Sequence, residues 1–231
     1  MTAERSAWIR NRLLETRRNI ADTAERYGRT RAPELLAVSK TFPASDIRAA
    51  IAAGQTRFGE SYVKEALDKI RQLDNASLEW HFIGPIQTNK TRAIAEHFSW
   101  VHGIERAKVA RRLNEQRPQA LPDLQVCIQV NISGEPSKSG VALQAVQALA
   151  DEVVELPRLH LRGLMTIPAP SDDFAQQREA FRNLREIFDR LNQTGLKLDT
   201  LSMGMTGDLE AAIAEGSTLL RLGTAIFGPR R

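Results

Sequence analysis

The chain has 231 residues, of which 42% are hydrophobic and 26% charged, and its formal net charge at pH 7 is +4. This composition is typical of a water-soluble globular protein with a sizeable core, and the length suits one α/β barrel domain covering residues 1–231. The basic residues are mixed with acidic ones along the predicted helices instead of forming a stripe, which argues against a nucleic-acid interface.

The cellular setting follows from cysteine usage and from the amino terminus. Cys127 is the single cysteine and lies in the apolar run Val126-Cys127-Ile128, so a disulfide framework is excluded and a buried thiol is expected. The amino terminus is polar and no apolar stretch has the length of a membrane span. We therefore expect a cytoplasmic protein with no membrane partner.

Strand-like and helix-like segments alternate along the chain after a first amphipathic helix, which is predicted from about Ala3 to Tyr27. The predicted strands are Leu35–Ser39, Arg57–Gly59, Leu78–Ile83, Trp100–Ile104, Leu124–Val130, Leu161–Ile167, Thr200–Met203 and Leu219–Leu222. The predicted helices between them are Ala44–Ala53, Ser61–Leu73, Thr91–Phe98, Ala107–Gln116, Ala142–Leu156, Asp172–Gln193 and Asp208–Glu215.

Eight predicted strands in strict alternation with helices imply a parallel sheet covered by helices. The sequence therefore predicts an α/β fold, a (β/α)8 TIM barrel with an extra amino-terminal helix. The alternative is an open doubly wound sheet, which normally has a glycine fingerprint after its first strand. The segment Lys40–Pro43 at that place contains no glycine, which favours the barrel.

Lys40 ends the apolar run that forms the first predicted strand. An amine at the carboxyl end of a buried strand is partly desolvated, and a desolvated amine is a competent nucleophile towards carbonyl groups. A lysine can also reach from such a position into solvent, where it has no chemical role. The position alone does not decide between these interpretations.

Two segments later in the chain have the composition of an anion-binding cradle. Ser202–Asp208 follows the seventh predicted strand and Arg221–Thr224 ends the eighth, and both combine hydroxyl side chains with glycines. Glycines let backbone amides approach an anion, and the loops after strands seven and eight are a common phosphate site in barrels. The alternative for Ser202–Asp208 is a turn with a helix cap at Thr206 or Asp208.

In a barrel, strand eight closes beside strand one, so this cradle would be a neighbour of Lys40. Two phosphorylated carbonyl compounds fit a lysine next to a phosphate cradle: a sugar phosphate in an aldolase, or pyridoxal 5'-phosphate. Arg221, a permanent cation, could donate a hydrogen bond to an aromatic nitrogen and keep it unprotonated. It could also form an ion pair at the barrel rim.

Short motifs along nearly the whole chain, taken together, resemble the pyridoxal phosphate homeostasis family, whose barrel is that of the amino-terminal domain of alanine racemase (a fold-type III barrel). The matching stretches are Leu36–Thr41, Phe58–Glu60, Trp80–Gly84 with Gln87, Asn89 and Lys90, Val130-Asn131, Ser133–Glu135, Lys138–Gly140, Gly163–Met165, Leu201–Met205 and Arg221–Gly228.

The resemblance implies that pyridoxal 5'-phosphate binds as an aldimine of Lys40. It also implies that Arg221 faces the pyridine nitrogen, and that other residues bind the phosphate or lie on the cofactor side. The residues implied to bind the phosphate are Ser202, Gly223 and Thr224, with backbone groups near Met203 and Gly204. Asn89 is a candidate for packing on the cofactor side. Partners implied are related B6 vitamers and pyridoxal-phosphate-dependent apoenzymes, for a monomeric protein.

The sequence departs from the family pattern at two positions. Ser61 stands where the family often has Asn, which puts a side-chain amide contact in doubt, and Pro85 stands where it often has Leu. His81 is expected to be a hydrogen-bonded barrel residue rather than a general base. Asn89 could instead cap the helix near Thr91, and Lys138 is either solvated or a second amine at the barrel mouth.

Racemases with this barrel need a second base from a separate carboxy-terminal domain, for which this sequence leaves no length after the eighth strand. We therefore expect a carrier or regulator of pyridoxal phosphate without robust turnover. The alternatives are a small racemase-like pyridoxal phosphate enzyme and an imine-forming aldolase.

Overall fold

The computed structural model of the chain describes residues 2–135 and 139–229. Within these residues eight parallel strands form a closed barrel in which each strand pairs with the next along the chain, and the last pairs with the first. The (β/α)8 TIM barrel predicted from the sequence is confirmed, with its extra amino-terminal helix. The open doubly wound sheet is excluded because the barrel is closed.

The described residues contain eight strands and nine α-helices. The strands are β1 Glu34–Val38, β2 Arg57–Glu60, β3 Glu79–Phe82, β4 Trp100–Ile104, β5 Leu124–Gln129, β6 Leu159–Met165, β7 Thr200–Ser202 and β8 Leu219–Leu222. The helices are α1 Ala3–Arg26, α2 Ala44–Ala52, α3 Val63–Leu73, α4 Thr91–His97, α5 Ala107–Gln116, α6 Val146–Val154, α7 Phe174–Gln193, α8 Leu209–Ala214 and α9 Thr224–Phe227. Short 3-10 helices cover Thr88–Lys90 and Leu143–Ala145.

The predicted bounds of several elements are wrong by one to four residues, as a strand and a helix illustrate. Strand β6 begins at Leu159, in register with Leu124, and it ends two residues before the predicted end, ahead of Pro168, which has no amide to donate. The helix predicted from Ala142 instead begins as a 3-10 turn, and the regular helix α6 starts at Val146. Both differences lie at element ends and leave the order of elements unchanged.

Helix α1 braces the place where the barrel closes. It packs against α2, which follows β1, and against α8 and α9, which flank β8. The Arg5 guanidinium on α1 lies 2.6 Å from the carboxylate of Asp46 on α2 and donates a 2.8 Å hydrogen bond to the carbonyl oxygen of Phe227 on α9. The amino-terminal helix therefore links the two elements that follow the first and last strands.

The core lies inside the barrel and between the strands and the helices. Cys127 is buried there as expected, and burial raises the pKa of its thiol to about 12, so it stays a protonated thiol near neutral pH. Met165 and Met203 are also fully buried. None of the helices in the described ranges is long and apolar enough to cross a membrane.

Candidate functional site

Lys40 and the two glycine-hydroxyl loops meet at the carboxyl ends of the strands, as predicted. Lys40 lies two residues beyond the end of β1, and β1 pairs with β8 through Ala37 and Leu222. Gly223 lies against Val38 so closely that a Cβ on Gly223 would come within 3.0 Å of the Val38 carbonyl oxygen. The backbone after β8 therefore lies against the last residue of β1, two residues before Lys40, and a side chain at position 223 would require a small shift there.

The Lys40 side chain is half-buried and reaches the loop after the neighbouring strand β2. Its Nζ donates a 3.3 Å hydrogen bond to the hydroxyl oxygen of Ser61. Ser61, which stands where the family often has Asn, therefore places a hydroxyl beside the Lys40 amine in place of a side-chain amide. No local sequence pattern signals this contact, because residues 40 and 61 become neighbours only through the pairing of β1 with β2.

The backbone on both sides of Lys40 is held by two charged residues of α3. Thr41 has a φ of 70°, a left-handed conformation that is unfavourable for a β-branched residue. Its amide donates a 2.6 Å hydrogen bond to the Glu65 carboxylate, and the ammonium of Lys69 donates to the Ser39 carbonyl at 2.7 Å. Glu65 and Lys69 are ion-paired with each other, so one pair holds both peptide groups that flank Lys40.

A buried carboxylate, Glu60 at the end of β2, completes this cluster. Its Oε1 accepts hydrogen bonds from the Ser39 hydroxyl at 2.6 Å and from Lys69 at 2.7 Å. Its Oε2 is buried and has no hydrogen-bond partner among the described residues. Burial raises the pKa of the Glu60 carboxyl, against the opposing effect of the Lys69 charge. The Phe58–Glu60 motif thus ends in a carboxylate that binds Ser39, the residue directly before Lys40.

The loop after β7 is shaped by a glycine. Gly204 has a φ of 98°, and a Cβ there would come within 2.5 Å of the Ala212 Cβ on α8 and 2.6 Å of Leu220 Cδ2 on β8. Asp208 occupies the N-cap position of α8, but its carboxylate accepts the amide of Met205 instead of capping the helix. Met203 is buried, its amide donates to the Leu219 carbonyl oxygen and its own carbonyl oxygen accepts from the Ser217 hydroxyl, so both of its backbone groups have partners within the protein.

The loop after β8 passes directly into α9. Gly223 is the N-cap residue of this one-turn helix, and Thr224, its first residue, is exposed. The first amides of a helix have no carbonyl partner inside the helix, so such a turn can supply donors to an anion. Ser202, Gly223 and Thr224 are thus gathered at one end of the barrel, and their contact with a phosphate remains a prediction.

Arg221 is buried inside the barrel, with 4% of its surface exposed. Among the described residues its guanidinium donates through Nη1 to the backbone carbonyl and the hydroxyl of Ser202, and through Nη2 to the carbonyl of Thr166 at 2.8 Å. Burial lowers the pKa of Arg221 to about 10, so the group is still a cation near neutral pH. Its hydrogen-bond partners are neutral groups inside the barrel, so the alternative of an ion pair at the barrel rim is wrong.

The Ser202 hydroxyl is buried and hydrogen-bonded to two side chains of other strands. Its oxygen lies 2.8 Å from Arg221 Nη1 and 2.8 Å from Nδ1 of His102 on β4. His102 Nε2 lies 2.9 Å from Nδ1 of His81, and His81 Nε2 lies 2.9 Å from the carboxylate of Glu79. His81 is a buried, hydrogen-bonded histidine as expected, whereas His102 carried no sequence signal.

Of two further candidates, one is exposed and the other lies outside the described part of the chain. Asn89 is exposed in the 3-10 helix before α4. The N-cap residue of α4 is Lys90, so Asn89 does not cap that helix, and its role on the cofactor side stays a prediction. Lys138 lies outside the described residues.

The comparisons with known proteins agree with this geometry. The family model of the alanine racemase amino-terminal domain matches residues 12–231. The pyridoxal phosphate homeostasis protein of Pseudomonas aeruginosa is 56% identical over 223 residues, 96% of each chain. That of Escherichia coli K12 is 54% identical over 228 residues, 96% of this chain and 97% of that protein. The chain belongs to the pyridoxal phosphate homeostasis family.

Two solved structures show the same barrel fold. PipY of Synechococcus elongatus with PLP bound superposes with a TM-score of 0.84 at 35% identity, covering 95% of this chain and all of that one. Alanine racemase of Corynebacterium glutamicum superposes with a TM-score of 0.69 at 19% identity, covering 85% of this chain and 57% of the racemase. The second likeness shows a shared barrel fold.

Proposed function

We propose that the chain binds pyridoxal 5'-phosphate reversibly and serves its homeostasis in the cell rather than catalysing a reaction on amino acids. The observation that carries this proposal is the PLP-bound PipY structure, which matches almost the whole chain at 35% identity. Two relatives that are more than half identical to the chain are pyridoxal phosphate homeostasis proteins, which supports the proposal further.

The cluster at the carboxyl ends of β1, β7 and β8 fits the chemistry of the cofactor. The Lys40 amine would condense with the aldehyde carbon, forming a C=N bond and releasing water. Gly223 keeps the loop after β8 in contact with Val38, so a phosphate held by the amides of Gly223 and Thr224 would lie near Lys40. Arg221 is a buried cation at the end of β8, and its guanidinium would donate a hydrogen bond to the pyridine nitrogen.

The same contact between Arg221 and the ring nitrogen would also limit catalysis on amino acids. The cofactor stabilises a negative charge on a substrate carbon best when its ring nitrogen is protonated. An arginine can only donate at this nitrogen, because guanidinium has no acceptor and remains charged. Arg221 would therefore keep the ring nitrogen unprotonated and the cofactor a weak electron sink. Related B6 vitamers and apoenzymes are the partners that such a carrier would have.

Mass spectrometry after borohydride reduction tests the proposal. The purified protein is incubated with pyridoxal phosphate, reduced and digested, and one phosphopyridoxyl adduct is expected on the Lys40 peptide. Lys40→Ala should abolish this adduct, and Lys64→Ala, which removes an exposed lysine on α3, should leave it unchanged. Adducts scattered over surface lysines would refute a specific site. Rapid loss of α-deuterium from common amino acids would refute the carrier role.

A further inference from the structure

A continuous row of hydrogen-bonded side chains crosses the interior of the barrel. It runs from Arg221 through Ser202, His102 and His81 to Glu79, with contacts of 2.8 to 2.9 Å. The first four side chains are buried. Glu79 is the first residue of β3, so it lies at the amino-terminal mouth of the barrel, opposite the end where Lys40 lies.

The charges at the two ends fix the direction of every hydrogen bond. Arg221 can only donate, so the Ser202 oxygen accepts from it. Hydrogen bonding from His81 lowers the pKa of Glu79 to about 2, so Glu79 is an ionised acceptor and His81 Nε2 must carry a proton. Burial lowers the pKa of both histidines, which keeps them neutral with one N–H each.

The neutral rings then leave one arrangement. Because His81 has its proton on Nε2, its Nδ1 accepts, and His102 must donate from Nε2. His102 Nδ1 is then an acceptor, so the Ser202 hydroxyl donates to it. All donors thus point from Arg221 towards Glu79, and the negative end of each dipole faces the arginine. Such aligned bonds polarise one another in a low-dielectric interior.

We propose that Glu79 is a positioning residue for Arg221, acting as its remote counterion through His81, His102 and Ser202. Removing the Glu79 charge would weaken the preference for this bond direction, so Ser202 would become a poorer acceptor for the guanidinium. The orientation of Arg221 would then be less strictly held. In this way the amino-terminal mouth would influence the site at the opposite end.

The Glu79 end of the row borders a cavity of about 820 Å³ at the amino-terminal mouth. Arg57 binds both Glu79 and Glu34 there, at 2.9 and 3.0 Å. The Trp100 ring stacks on His81, and Arg162 lies over that ring. At the other end, Asp208 is the carboxylate whose charge most stabilises the Arg221 cation. These charged groups flank the row without interrupting it.

Nuclear magnetic resonance of the ligand-free protein tests the row independently of pyridoxal phosphate. Side-chain nitrogen resonances should show His81 and His102 as neutral rings protonated at Nε2. Glu79→Gln should shift the resonances of His102 and of the Arg221 guanidinium. The matched control is Glu96→Gln, because Glu96 borders the same cavity and both carboxylate side chains are 36% exposed. A ring protonated at Nδ1, or equal shifts in both variants, would overturn the proposal.

The consequence for the ligand rests on the proposed function and is measured separately. Glu79→Gln is expected to weaken pyridoxal phosphate binding several-fold, with Glu96→Gln unchanged. If Glu79 acts through the hydrogen-bonded row, Glu79→Gln should cause no further loss of pyridoxal phosphate affinity in a variant that already carries His102→Phe. Additive losses would overturn the coupling. Failure of the unmodified protein to form the Lys40 adduct would instead refute the proposed function, and the ligand-free resonances would still decide on the row.

Discussion

The Lys69 ammonium donates a 2.7 Å hydrogen bond to the carbonyl oxygen of Ser39, the residue directly before Lys40. The same ammonium is paired with Glu65, which accepts the amide of Thr41, the residue directly after Lys40. A lysine on a helix thus holds the backbone on both sides of another lysine, which lies just beyond the end of a strand. Lys69 is 4% exposed and has three oxygen acceptors, so its own amine is committed to the structure.

Replacing this buried lysine should destabilise the protein. Lys69→Met leaves the Glu60 carboxylate buried without its cation, and breaking a buried ion pair costs about 3–5 kcal/mol. We expect a loss of that order in the free energy of unfolding, measured with urea, and slower formation of the reduced Lys40 adduct. Lys64→Met on the exposed side of α3 is the control and should change stability by less than about 0.5 kcal/mol. Equal losses in the two variants would contradict the prediction.

The protein should be more stable with glycine in place of Thr41. Its φ of 70° costs a non-glycine residue about 1–2 kcal/mol, and glycine loses about 0.5–1 kcal/mol through greater freedom of the unfolded chain. Thr41→Gly should therefore raise the free energy of unfolding by roughly 0.5–1 kcal/mol. Thr41→Val keeps a β-branched residue in the same conformation and should bring no such gain. A destabilised glycine variant would show that the conformation is not strained.

The sequence predicted the parts of the site that follow from strand ends. Lys40, Arg221 and the loop glycines belong to local patterns, and the barrel rule brings strand ends together. It could not predict His102 or Lys69, because each is an ordinary residue of its element and acquires a role only through partners 100 and 30 residues away. Ser61 is a similar case, since its contact with Lys40 depends on pairing of β1 and β2.

Gly204 should tolerate no side chain. Alanine there would place its Cβ 2.5 Å from the Ala212 Cβ and 2.6 Å from Leu220 Cδ2, at a φ of 98°. Strain and overpacking together should lower the free energy of unfolding by about 2 kcal/mol or more and separate α8 from β8. Gly207→Ala is the matched control in the same loop, because nothing lies within 4 Å of its Cβ position. Similar stability of the two alanine variants would contradict this packing.

The stability of the protein in acid should depend on Glu79. Hydrogen bonding from His81 lowers the pKa of this carboxyl from 4.5 to about 2 in the folded chain. The unfolded chain therefore binds a proton more readily, and the stabilisation by Glu79 is complete above pH 4.5 and is lost as the pH falls towards 2. Glu79→Gln should make the free energy of unfolding less dependent on pH in this window.

Urea unfolding at a series of pH values across that window measures the effect. The size of the change is reduced by solvent screening, because the Glu79 side chain is 36% exposed. The sign does not depend on screening: the unmodified protein should lose stability more steeply than the variant as acid is added. An equal slope for both proteins would mean that the His81 hydrogen bond does not favour the ionised carboxylate, and the fixed bond direction from Arg221 to Glu79 would lose its basis.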